Sequence, residues 1–234
     1  MKISILALDK RKELWGELAN NTEKLFNVKP ELFIVGNGSD RELKYDHIDE
    51  TQIKFNLIYW GQSPLSHYNA FLSHQKIFQR AYNENVDRLL LLEDDAYIIE
   101  SRMHIWNSEA TQDFIKNGYW DLLYLGWWMT RSNQEGLSGD REDLELAYRE
   151  HGDCGILPVP RPPYIKHEVC GFHGVLINGH FLEVLTDIST GPYDGIVNKN
   201  FDRINAYYMY PKLIHTKTTW SYCENAELKR FNIQ

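Results

Sequence analysis

The chain has 234 residues and a formal charge of −8, from 25 basic and 33 acidic side chains. Hydrophobic residues make up 43% and charged residues 25%, a globular balance that excludes a disordered chain, collagen or a coiled coil. The acidic excess argues against a nucleic-acid partner, because phosphate-backbone binders carry a basic face.

The opening MKISILALDKRK has too short an apolar run for a signal h-region or a membrane span. The expectation is a cytoplasmic protein with no transmembrane segment. Cys154, Cys170 and Cys223 cannot all pair and match no zinc spacing, which reads as reduced thiols. In that compartment the glycosylation sequons at Asn20 and Asn37 carry no weight.

Taken in order, Ile3 to Leu8 reads as a buried strand. Leu14, Trp15, Leu18, Ala19, Leu25 and Phe26 form a helical stripe over Lys10 to Phe26. Glu31 to Gly36 is a second strand, closed by the turn residues Gly36 to Asp40. Ile53, Phe55, Leu57 and Tyr59 alternate as in a half-buried strand. Ser63-Pro64 then predicts a helix start, with the helix running to about Tyr82.

Arg88 to Leu92 contains four consecutive leucines, the mark of a strand covered on both faces, as in a central parallel strand. Trp120 to Gly126 is another such strand. Residues 129–167 are polar with four prolines near their end, and they predict a lid or insertion with a short helix around Leu144 to Glu150. Val169 to Asn178 reads as a strand, Gly179 to Ile188 as a helix and Ile204 to Tyr210 as a strand. The alternation of strands and helices predicts an α/β fold with a mostly parallel central sheet, which binds ligands beyond the carboxyl ends of its strands.

Glu93-Asp94-Asp95 stands at such an end. Three adjacent carboxylates repel one another and call for a cation, and hard oxygen donors suit Mg²⁺ or Mn²⁺. Glu93 and Asp95, two apart, point the same way from an extended backbone. An acidic turn or a helix start would also account for the triplet.

Four segments together resemble glycosyltransferase family 25, the lipopolysaccharide and collagen galactosyltransferases, within the GT-A nucleotide-sugar enzymes. They are the opening Ala-Leu-Asp-Lys-Arg-Lys-Glu-Leu-Trp, Phe71-Leu72-Ser73-His74, Leu92-Glu93-Asp94-Asp95 and Pro192-Tyr193-Asp194. The resemblance implies a single Rossmann-like GT-A domain over 1–234. It has a nucleotide-sugar half (1–126), the lid (129–167) and an acceptor-side half (168–234). It implies transfer of a hexose from UDP-galactose or UDP-glucose to a hydroxyl of a glycan or glycoprotein, with inversion.

In that reading Asp95 binds the metal directly. Glu93 binds it through water or contacts the donor ribose, and Asp94 holds the loop or the donor sugar. His215 is either a third metal ligand or a surface or capping histidine. Asp194 is either the general base or a helix cap, with Glu168 and Asp121 in reserve. Leu8, Asp9 and Lys12 with Asn37 and Asp40 would lie along the nucleotide, although the last two also suit a plain turn. His173, between Gly171 and Gly174, is a donor- or acceptor-site candidate, and Lys212 and Lys217 could contact phosphate. His74 reads as a core or capping residue. One of Trp127 and Trp128 would stack on the acceptor.

Two rival readings remain. A nucleotidyltransferase or phosphohydrolase also uses strand-end carboxylates, but the first loop lacks glycine. A degenerate sugar- or nucleotide-binding protein would keep the fold without catalysis.

Overall fold

A computed structural model of the chain describes residues 1–35, 64–131, 155–159, 167–189, 193–198, 200–216, 220–221 and 226–227. β1 (Lys2–Leu8) runs through a 3-10 turn into α1 (Lys12–Phe26), followed by β2 (Glu31–Val35). Next come α2 (Pro64–Asn83), β3 (Arg88–Glu93), β4 (Ala96–Ile98), α3 (Met103–Trp106) and α4 (Glu109–Asn117). β5 (Leu122–Arg131), β6 (Gly155–Pro158) and β7 (His167–Asn178) lead to α5 (Gly179–Asp187) and α6 (Tyr193–Asn198). β8 (Ala206–Tyr210), β9 (Ile214–Thr216) and the short pair β10 (Trp220–Ser221) and β11 (Ala226–Glu227) complete the described order.

Seven strands form one sheet in the order β2-β1-β3-β7-β5-β8-β6. β2, β1, β3, β5 and β8 run one way, while β7 and β6 run the other. The sheet is therefore mostly parallel, as expected from the sequence. The leucine strand is not flanked by parallel strands on both sides, because β3 is parallel to β1 but antiparallel to β7. Covering helices, not strand direction, account for its apolar run. Leu89, Leu90, Leu91 and Leu92 are all fully buried.

The two faces have separate cores. Leu89 and Leu91 join Phe71, Phe78 and Ala81 of α2, Leu182 and Leu185 of α5, and Tyr193 and Val197 of α6. Leu90 and Leu92 join Trp15 and Leu18 of α1, Ile105 and Trp106 of α3, and Ile115 of α4. Burying each such leucine stabilises the fold by about 2 kcal/mol.

The helix ends follow local chemistry. α1 stops at Asn27, which takes the left-handed conformation at φ 53°. Pro64 occupies the first position of α2, where its missing N–H costs nothing. Ser108 Oγ accepts the Thr111 N–H at 3.3 Å and caps α4.

The stretch 129–167 is not loop throughout. β5 carries the sheet on to Arg131, and Gly155–Pro158 forms the edge strand β6. The expected strand over 53–59 and the helix around 144–150 lie outside the described residues. Among the described residues no helix is long and apolar enough to cross a membrane.

Candidate active site

The side-chain alternation of β3 decides where the acidic triplet points. Leu89 and Leu91 face α2, so Glu93 faces α2 as well; Leu90 and Leu92 face α1, and Asp94 follows them. The chain then turns at Asp94 and Asp95 before β4. The turn ends the alternation, and Asp95 shares a cation with Asp94 instead of simply repeating Glu93.

That cation is Arg11. Its Nη1 donates to Asp94 Oδ1 at 2.7 Å and lies 3.4 Å from Asp95 Oδ2. Asp94 Oδ2 accepts the Leu8 backbone N–H at 2.8 Å. The Leu8 carbonyl in turn accepts from Trp15 Nε1 at 3.2 Å. Asp94 therefore ties the end of β1 to the end of β3, and α1 is tied to both.

Glu93 lies among three further carboxylates. Burial, then Asp95, Asp94 and Asp194 push its carboxyl up to about 8, against a smaller opposing pull from Arg11. Its side chain nevertheless keeps 37% of its surface open, so solvent reaches one side of the group. Burial also raises Asp95, to about 6, with Arg11 opposing. Asp94 is raised by burial in spite of Arg11 and the Leu8 N–H.

Asp194 sits in the first turn of α6 and is felt by Glu93. Its Oδ1 accepts the Gly195 N–H at 2.8 Å, and burial raises its carboxyl. The site thus gathers Glu93, Asp94 and Asp95 from one half of the chain with Asp194 from the other. Like charges gathered this way repel one another, and Arg11 pairs directly with two of the four, Asp94 and Asp95.

His74 on α2 stands beside them. Its Nε2 is 3.7 Å from Glu93 Oε1, and its Nδ1 donates to Ala70 O at 2.8 Å. The ring is buried, which lowers it to about 4 and keeps it neutral.

A second patch adjoins the first. β4 pairs with β9, so Tyr97 faces His215, two residues beyond Asp95. The two rings stack at 5.6 Å. Thr216 N–H donates to His215 Nδ1 at 2.7 Å, which leaves the proton of the neutral ring on Nε2. His173 is buried near Lys212 and His215, and burial followed by those neighbours lowers it to about 3. A Cβ on Gly126 would lie 2.7 Å from His173 Cδ2, so only glycine leaves room for this imidazole against β5. Lys212 is itself buried, with Nζ donating to Trp127 O at 3.3 Å.

Leu8, Asp9 and Lys12 lie at the carboxyl end of β1 beside Asp94, with Asp9 and Lys12 exposed. Asn37, Asp40 and Lys217 fall outside the described residues, as do the side chains of Trp128 and Glu168. Trp127 is 1% exposed and donates to Met209 O at 3.0 Å, so it is core and not an acceptor platform. Asp121 stands at the start of β5, on the opposite edge of the sheet from Glu93. There it binds His180 Nε2 at 2.6 Å and Asn205 N at 2.7 Å, which removes it as a reserve base. A cleft of about 450 Å³ opens on that edge, between Tyr119, Asp121, His180, Val184 and Arg203, and Glu93, Asp94, Asp95 and Asp194 do not line it.

Among the described residues no three His, Cys, Asp or Glu side chains converge as they would around a metal ion. Glu93, Asp95 and His215 are therefore not a closed ligand cage. Glu93 and Asp95 do fit the open kind of site, in which one or two carboxylates act together with water and substrate phosphate. Sequence reasoning missed Arg11, although it named Asp9 and Lys12 on either side. The surplus of acids after β3 was the available signal for a basic partner in the turn that follows the neighbouring strand.

No protein-family model and no curated protein matches the chain. Two solved structures show a distant likeness. One is described as A197 from STIV, with TM-score 0.43, 13% identity, and coverage of 89% of this chain and 81% of that one. The other is described as a glycosyltransferase involved in the glycosylation of the major capsid of PBCV-1. It has TM-score 0.44, 11% identity, and coverage of 96% of this chain and 97% of that one. The fold and the site stand on the geometry described above.

Proposed function

We propose that this protein is a GT-A-type glycosyltransferase that moves galactose or glucose from a UDP-sugar to a hydroxyl of a glycan or glycoprotein acceptor, with inversion. The observation that carries this reading is the approach of Asp194, from the other half of the chain, to Glu93 of the acidic triplet at the carboxyl end of β3. The four segments that resemble family 25 support it. Three of them, at Leu8 to Trp15, His74 and Asp194, fold onto the fourth, the acidic triplet.

Each residue then has a task. Glu93 and Asp95 hold a Mn²⁺ or Mg²⁺ ion, which when bound supplies positive charge against the leaving diphosphate. Arg11 and Asp94 fix the turn that presents them. Asp9 and Lys12 lie along the nucleotide. Asp194 accepts the proton of the acceptor hydroxyl, and its raised basicity suits it to that transfer.

The test is release of UDP from UDP-galactose and UDP-glucose, with and without Mn²⁺, by the wild type and by Asp95→Asn. Metal-dependent release that the substitution abolishes is expected. No release from any UDP-sugar by the wild type would sink the reading. Sugar binding without turnover would favour the non-catalytic alternative.

A further inference from the structure

His74 carries a lone pair with an unusual setting. Ala70 O can only accept, so the hydrogen at 2.8 Å sits on Nδ1, and in the neutral ring Nε2 carries the lone pair. That Nε2 is buried, on a residue 7% exposed, and has no hydrogen-bond partner. Phe78, Phe172 and Tyr193 surround the ring with centroids 6.1, 6.0 and 6.0 Å away. The open direction is toward Glu93 Oε1 at 3.7 Å.

This separation is too long for a hydrogen bond. It suits two donors of one ion, since metal–ligand bonds of roughly 2.1 Å put neighbouring donors roughly 3–4 Å apart. An imidazole that ligates a metal through one nitrogen usually donates the other N–H to a carbonyl or carboxylate, which fixes the ring. His74 has that arrangement through Ala70. His215 has the opposite tautomer, with its Nδ1 lone pair occupied by Thr216 N–H.

We propose that His74 Nε2 and the Glu93 carboxylate bind the divalent cation directly, with Asp95 acting on it through water, and that this nitrogen donor makes the site prefer Mn²⁺, and Co²⁺ more strongly, over Mg²⁺. Imidazole favours the later first-row metals, whereas an all-oxygen site accepts Mg²⁺ readily. The proposal rests on the cation reading of the acidic site given above, but not on the sugar-transfer reaction.

Pulsed electron paramagnetic resonance on the full chain loaded with Mn²⁺, with and without UDP, tests it without any substitution. Coupling to an imidazole ¹⁴N is expected. Calorimetric titration of His74→Gln and of the shape-filling His74→Phe forms the second arm. Mn²⁺ affinity should fall about tenfold or more while Mg²⁺ affinity changes little. Bound Mn²⁺ without nitrogen coupling, equal losses for both metals, or no Mn²⁺ binding at all would overturn the proposal. Nitrogen coupling without UDP-sugar turnover would refute the transferase reading alone. Turnover with an oxygen-only Mn²⁺ shell would refute this inference alone.

Discussion

Asp94 accepts the backbone N–H of Leu8 at 2.8 Å, so the carboxyl ends of the first and third strands are joined by one carboxylate. The same side chain holds Arg11 at 2.7 Å. Asp94 is 4% exposed, and the Arg11 side chain keeps only 11% of its surface. The middle residue of the triplet thus holds the two strand ends and Arg11 together.

Asp94→Ala should therefore destabilise the fold strongly. It leaves the Leu8 N–H and a largely buried guanidinium without their acceptor, which costs about 2–5 kcal/mol. Urea unfolding would measure it. Asp95→Asn should behave differently, because it removes a repulsive charge next to Asp94 and keeps an oxygen for Arg11. Its unfolding midpoint should match or slightly exceed that of the wild type, while metal-dependent UDP release disappears. If the two variants lost the same stability, the division of labour between them would be wrong.

Glu93 gives the fold a pH dependence of known sign. Its carboxyl is raised to about 8 in the folded chain from an ordinary value of 4.5. Between those limits the unfolded chain releases a proton that the folded chain retains. The folded state binds more protons there, so stability falls as pH rises from about 4.5 to 8. Solvent on the open side of Glu93 moderates the size of the effect. Glu93→Gln should match the wild type near pH 4.5 and exceed it near pH 8. Thermal midpoints across this range decide the matter, and parallel curves for the two proteins would contradict it.

The residues that alternate or repeat are legible in the sequence. The stripe of Trp15 and Leu18, the four leucines of β3 and the proline start of α2 predict their elements, because burial on a helix face or between two layers needs a periodic pattern. Strand direction is not periodic. Nothing in Val169 to Asn178 distinguishes an antiparallel β7 from a parallel one. β6 hid in a polar stretch because Pro158 reads as loop, yet a proline is tolerated on an edge strand. The roles of Arg11 and His74 depend on which side of β3 each carboxylate faces. That is set by the register Leu6↔Glu93 and by the turn at Asp95, neither of which the sequence displays.

Gly126→Ala tests the second patch. The added Cβ would meet His173 Cδ2 at 2.7 Å, His173 Nε2 at 2.8 Å and Ile214 O at 3.0 Å. The imidazole is buried and cannot swing into solvent. The substitution should cost about 1–3 kcal/mol. Gly126→Ala combined with His173→Ala should recover part of that loss, since the Ile214 carbonyl remains close. Chemical denaturation of the two variants provides the comparison, and a neutral single substitution would show that His173 moves freely.

Asp194→Asn separates a structural role from catalysis. The Asp194 Oδ1 accepts the Gly195 N–H at 2.8 Å, and an asparagine oxygen can accept the same bond. Asp194 is the second residue of α6, so the amide keeps this bond and gives up only a first-turn negative charge, worth about 0.3–1 kcal/mol. Stability should therefore change little, and relief of the like charge felt by Glu93 works in the same direction. The amide cannot take a proton from an acceptor hydroxyl. Removal of a general base lowers kcat by about 10²-fold or more, while the donor still binds through groups on the other half of the chain. Steady-state kinetics with saturating UDP-sugar, alongside a UDP binding titration, would show a fall in kcat with Kd nearly unchanged. An Asp194→Asn protein with wild-type kcat would leave Asp194 as a first-turn residue of α6 with a structural role alone, and the search for the base would pass to Glu168 on β7.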